Sequence, residues 1–161
     1  MGNPRRKPHK QKGDKPDIAF GTHLSSDNAG PQPVRSVGGS LYLNIIIDHH
    51  TNWIWVKGLK KKSESVAHLR YVAMQELNGV TIVIRTDQGG EFMNHDMGEL
   101  VSVIGATHQT SASGDSQQNG RAEKAIQDIM AMVRVFLCAL CRGLDLWMAA
   151  AKHETRSLHQ K

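Results

Sequence analysis

The segment Leu41–Ile47 carries Ile45, Ile46 and Ile47 in succession and closes on Asp48. Side chains of a strand alternate between two faces, so three adjacent isoleucines place apolar groups on both. Such a strand belongs inside a sheet covered on both sides. With 161 residues the chain is one domain's worth, so the covering layers must come from its own helices.

The flanking segments supply them. Ile18 to Asp27 alternates loosely and reads as a strand ending at the turn Asn28-Ala29-Gly30-Pro31. Thr51-Asn52 turns the chain into a third strand, Trp53 to Val56, which forms an antiparallel hairpin with the isoleucine strand. Ser63 is the expected cap of a helix with Val66, Leu69, Val72, Ala73 and Leu77 on one face, stopped by Asn78-Gly79. Val80 to Ile84 reads as a buried strand, followed by Thr86-Asp87 and Gly89-Gly90. A helix over 94–104 presents Met97, Leu100, Val101 and Ile104 and ends at Gly105. A short strand near Ala106–His108 and a polar, mobile loop over 109–119 follow. A long helix from Gln118 to Cys141 and a last one over Asp145–Leu158 complete the chain. The expected fold is α/β: a mixed sheet, antiparallel hairpin plus parallel strands, flanked by helices.

Lys and Arg number 20 against 15 acids, for a net charge of +5. Residues 1–17 hold six of the bases and two of the acids, and are punctuated by Pro4, Pro8, Gly13 and Pro16. The basic excess therefore belongs to a flexible N-terminal arm, a solvated tail or a segment that contacts DNA or directs nuclear import. Residues 18–158 form the folded body. No apolar run approaches the roughly 18 residues of a membrane span, and the composition excludes a disordered or fibrous chain. Cys138 and Cys141, three apart on a helix, read as small core residues and not as a disulfide framework.

Three acids fall where this order of elements brings them together. Asp27 ends the first strand, Asp87 closes the fourth, and Glu123 lies in the first turns of the long helix. Loops diverge at strand ends of an open α/β sheet and leave a crevice there. Carboxylates sharing a crevice repel one another unless a cation lies between them, and all-oxygen ligands call for Mg²⁺ or Mn²⁺. Two such ions suit an in-line phosphoryl transfer. Spacing alone is equally compatible with solvated surface acids.

The local words are more specific. Asp27-Asn28-Ala29-Gly30-Pro31, Ile47-Asp48, Trp55-Val56, Leu59-Lys60, Ile84 through Asp87-Gln88-Gly89-Gly90-Glu91-Phe92, and Gln117-Gln118-Asn119-Gly120-Arg121-Ala122-Glu123 follow one another in order. Together they resemble the integrase catalytic core of copia-type retrotransposons, from about His23 to Trp147-Met148-Ala149-Ala150-Ala151. The resemblance implies an RNase H-like fold of the DDE superfamily. It implies a polynucleotidyl transferase, active in 3′-end processing and strand transfer, with Asp27, Asp87 and Glu123 holding two Mg²⁺ or Mn²⁺ ions. The implied partners are element ends, target DNA and further copies of the chain, and the implied location is the nucleus. His49, Gln88 and Asp115-Ser116 depart from the family's usual residues; none removes an acid of the triad.

Around the triad, Asn119 and Gln127 share a helical face with Glu123, Gly120 permits close backbone approach, and Arg121 and Lys124 are candidate phosphate contacts. Lys124 also has Asp128 one turn on as a surface partner. Glu91 is a candidate ligand or a salt-bridge acid, and Asp48 is expected as a solvated strand end. Lys60, Lys61 and Lys62 are expected in solvent, and Trp53 and Trp55 in the core or a dimer interface. His9, His23, His49-His50 and the two cysteines do not have the order or spacing of a zinc module. The rival reading is an inactive remnant that binds nucleic acid or dimerises, since the chain lacks the modules flanking such a core. A third is a nuclease of the same fold.

Overall fold

A computed structural model describes residues 19–110 and 116–158. The basic arm lies outside the described residues. Five strands, β1 (His23–Ala29), β2 (Tyr42–Asp48), β3 (Ile54–Leu59), β4 (Val83–Thr86) and β5 (Thr107–Thr110), form one sheet in the order β3-β2-β1-β4-β5. β2 pairs antiparallel with both β1 and β3, whereas β4 runs parallel to β1 and to β5. The mixed α/β sheet expected from the element order is the one observed.

The three isoleucines behave as their pattern demands. Ile45 and Ile47 face α3 (Ser116–Ala139) and α4 (Trp147–Leu158), packing with Ala122, Ile129, Val133 and Leu137. Ile46 faces the opposite layer, where α1 (Ser65–Tyr71) and α2 (His95–Ile104) contribute Val66, Leu69, Met97 and Leu100. At Gly58 the α4 layer comes so close to β3 that a Cβ would lie 2.9 Å from Met148 Sδ.

Local chemistry sets the ends. Asn94 caps α2 by accepting from the Met97 N–H at 3.0 Å, and Gly105 closes it at φ 69°. Asn78 and Gly79, both at positive φ, end the helix after a π turn over Val72–Glu76. Ser63 does not cap: it lies inside a 3₁₀ turn, Lys62–Glu64, that precedes α1.

Other expectations are corrected by packing. β1 begins at His23, not Ile18, and β4 at Val83, because Val80 and Ile82 are exposed. The polar loop is shortened, since β5 runs to Thr110 and α3 begins at Ser116. Cys138 and Cys141 are exposed rather than in the core. Asp48 is buried, not solvated. Its Oδ1 accepts from the Gly21 N–H at 2.9 Å and its Oδ2 from both the N–H and the hydroxyl of Thr51 at 2.7 Å, which builds the β2–β3 turn. Trp53 is half exposed and meets Trp55 edge-on.

Candidate active site

β1 alternates like any strand, and its alternation sorts the site into two layers. Asp27 pairs with Ile45, whose side chain faces α3, whereas Asn28 pairs with Asn44 toward α1. β1 and β4 run parallel with His23 beside Val83 and Ser25 beside Arg85. Carried two positions on, that register sets Asp27 beside Asp87 at the same end of the sheet. Glu123 sits exposed on α3, the helix over this face.

The charges of these acids reach one another. Burial raises the Asp27 carboxyl, its bond from the Asn28 N–H at 2.7 Å lowers it, and Asp87, Glu123 and Glu91 raise it again, to about 6. Gly89 lies between two of the acids: a Cβ there would stand 2.8 Å from Glu91 Oε2 and 2.9 Å from Asp87 Oδ1. A side chain there would push both carboxylates aside. The Gly89 N–H also donates to Asp87 Oδ1 at 3.0 Å.

Glu91 is held from two sides. Asn28 Nδ2 donates to its Oε1 at 3.0 Å and Lys62 Nζ lies 3.6 Å from the same oxygen. Burial pushes Glu91 up, but its own main-chain bond, Asn28 and Lys62 outweigh this and hold it below the usual carboxylate range. Lys62 is exposed, as are Lys60 and Lys61, and meets Glu91 from the solvent side. Among the described residues, no three His, Cys, Asp or Glu side chains close up as a ready metal cage. The donors near Asp27 are nevertheless oxygens only and mutually repelling, a set that suits a hard divalent cation.

The remaining candidates lie along α3. Arg121 and Gln127 are exposed, and a Cβ at Gly120 would meet nothing within 4 Å. Arg121 Nη1 donates to the His49 carbonyl, and Lys124 Nζ pairs with Asp128 at 2.7 Å. The side chain of Asn119 lies outside the described residues. A groove of about 680 Å³ runs between this side of α3 and the β2–β3 turn, lined by Asn52, Arg121, Lys124 and Ile129 among others; none of the three acids lines it. Sequence reasoning missed Asn44 and His68, which hold Asn28 from beneath. The signal was Asn44 itself, an amide set in an apolar run, where a buried polar group needs partners.

No protein-family model matches the chain. It is 31% identical over 115 residues to the retrovirus-related Pol polyprotein from transposon TNT 1-94 of Nicotiana tabacum, a match covering 70% of this chain and 9% of that polyprotein. It is 28% identical over 103 residues to the Pol polyprotein from transposon RE2 of Arabidopsis thaliana, covering 62% of this chain and 7% of the relative. The chain therefore spans less than a tenth of either curated relative.

Solved structures share its fold. The HTLV-2 integrase catalytic core domain, in complex with magnesium and in a trimeric form, superposes with a TM-score of 0.59 at 19% identity over 81% of this chain and 82% of that one. The catalytic core domain of BIV integrase gives 0.57 at 14% identity over 81% and 80%. A chain of the simian T-cell lymphotropic virus intasome, in complex with the PP2A regulatory subunit B56 gamma, gives 0.67 at 17% identity over 92% of this chain and 52% of that one. The fold is that of an integrase catalytic core in the RNase H-like superfamily. Its sequence relatives are retrotransposon Pol polyproteins and its fold neighbours are retroviral integrase catalytic cores, which together support an integrase core of the RNase H-like/DDE superfamily.

Proposed function

We propose that this domain is a divalent-metal-dependent polynucleotidyl transferase of the copia type that acts in DNA integration, trimming element ends and joining their 3′-hydroxyls to target DNA. One observation carries the reading: the parallel β1–β4 register sets Asp27 beside Asp87, with Glu91 and Asp87 crowding Gly89, so that burial first, and then the charges of Asp87, Glu123 and Glu91, raise the Asp27 carboxyl to about 6. Such repulsion is unfavourable in the free protein and is relieved by a cation.

Asp27, Asp87 and Glu123 would hold two Mg²⁺ or Mn²⁺ ions. Bound there, the ions supply activation of water or a 3′-hydroxyl and neutralisation of the departing oxygen. The chain's own contribution is position and charge. Asp27 stands on β1 and Asp87 directly follows β4, the parallel strand beside it, while Glu123 is exposed on α3. Arg121 and Lys124, with Asn119, Gly120 and Gln127 on the same stretch of helix, would meet the phosphates of element ends and target. Their contacts would be salt-sensitive and largely independent of sequence.

Residues 1–17 act in this reading as a basic arm to the 18–158 core, in a nuclear protein that works as a dimer or higher oligomer. No helix among the described residues is long and apolar enough to cross a membrane.

The lack of a closed three-acid cage among the described residues favours a second reading, an inactive remnant that only binds nucleic acid or dimerises. Branched DNA mimicking an integration intermediate separates the two. With Mn²⁺, wild type should cut and rejoin the branch while Asp87→Asn does neither. Equal activity in both proteins removes the catalytic assignment, and no strand chemistry from folded wild type leaves the remnant.

A further inference from the structure

Asn44 is fully buried in the middle of β2, where an amide is costly unless its polar atoms are paired. They are. Its Nδ2 has three acceptors within reach of its two hydrogens, one of which is shared: Asn28 Oδ1 at 2.9 Å, and Ser26 Oγ and the Asp27 carbonyl at 3.1 Å. Its Oδ1 accepts from His68 Nδ1 at 2.6 Å. An amide oxygen carries no hydrogen, so the ring proton of His68 must sit on Nδ1. Burial, and then the charge of Lys57, push His68 down to about 3. The ring is therefore neutral, and its single N–H is committed to Asn44.

The direction of the next bond follows. Asn28 Oδ1 accepts from Asn44 Nδ2 at 2.9 Å; Ser65 Oγ also lies 2.9 Å away, but its one hydrogen is shared with the Lys62 carbonyl at 2.6 Å, so Asn44 sets the direction. Turning the Asn28 amide over would set NH₂ against NH₂, so Nδ2 can only face Glu91, 3.0 Å from Oε1. Donor and acceptor roles are thus determined from α1, through β2 and β1, to the turn after β4.

We propose that the chain His68–Asn44–Asn28–Glu91 is a positioning device: it seats Glu91, and with it the Gly89-Gly90 turn behind Asp87, against the end of β1 at Asp27. The proposal rests on the reading of Asp27 and Asp87 as a metal-holding pair, and names what sets their spacing. Both acids are touched by the device. Asn44 holds the carbonyl of Asp27, and Glu91 shares the space over Gly89 with Asp87. Lys62 balances Glu91 from the solvent side. In this proposal the four residues act through the acids.

Asn28→Ala and Glu91→Ala cut the device at two points, the second in a turn outside the core, so that at least one folded variant is available. Each should weaken Mn²⁺ binding about 10–100-fold, as loss of a group that orients a metal ligand does. Each should lower kcat by a similar factor with KM for branched DNA changed less than about two-fold. In ¹⁵N spectra of the metal-free protein, the Gly89 and Gly90 amide signals should shift in both. Glu91→Gln, whose Oε1 still accepts from Asn28, should restore them. Folded alanine variants with unmoved Gly89 and Gly90 signals overturn the proposal, as does Mn²⁺ affinity equal to wild type. If wild type binds no Mn²⁺ and Asp87→Asn changes nothing, the metal reading fails by itself; the metal-free spectra still decide whether the device seats the turn.

Discussion

Arg121 Nη1 donates to the main-chain carbonyl of His49 at 2.6 Å, joining the first turns of α3 to the end of β2 across 72 positions. A guanidinium has donors to spare after one such bond, so Arg121 ties the helix down and still presents charge to solvent. One turn further, Lys124 is held by the exposed pair with Asp128, an interaction weak enough to give up for a phosphate.

Duplex binding measured between about 50 and 200 mM salt should therefore respond to each residue separately. Arg121→Ala and Lys124→Ala should each weaken binding and reduce the slope of log K against log salt by about one. Asp128→Asn should tighten binding at low salt, because it releases Lys124. Unchanged slopes in all three variants would remove α3 from the DNA interface.

Asp27 implies a pH dependence of the opposite sign to that of an ordinary surface acid. Its carboxyl is raised from 3.8 to about 6, so the folded state prefers it protonated. Its favourable contribution is complete below pH 3.8 and is lost as pH rises through about 6. Without divalent ions, Asp27→Asn should melt roughly 3–6 °C above wild type at pH 7.5 and level with it near pH 3.5. Melts in chelator across this range check it; a variant less stable than wild type at pH 7.5 contradicts the repulsion.

Gly89 offers a test that leaves every acid in place. A methyl there would stand 2.8 Å from Glu91 Oε2 and 2.9 Å from Asp87 Oδ1, so both carboxylates must move. The turn is at the surface, and stability should fall by no more than about 1 kcal/mol. Strand joining should fall at least about ten-fold, since small misplacement of reacting groups is costly. Gly90→Ala, where a Cβ meets nothing within 4 Å, is the control and should keep most of the activity.

The sheet was legible because periodicity reports burial. Ile45, Ile46 and Ile47 announced a strand with two covered faces, and Asn78-Gly79 and Gly105 announced where helices stop. The start of β4 was misread for the same reason: Val80 and Ile82 look like strand interior, yet no layer covers them. Cys138 lies beside the buried stripe of Val133 and Leu137 but turns outward, a matter of helix phase that small apolar residues do not disclose. At the site, the positions of Asp27 and Asp87 at strand ends followed from element order. The support beneath them did not, because His68 and Asn44 meet across 24 positions and hydrogen-bond partners at that range have no signature in spacing.

β1 places Asp27 and Asn28 on opposite sides of one sheet, joined by a single peptide bond. If Asp27 and Asp87 hold metal as proposed, one change at His68 or Asn44 would loosen the site while leaving every acid in place. An intact set of carboxylates is then no guarantee of an intact site.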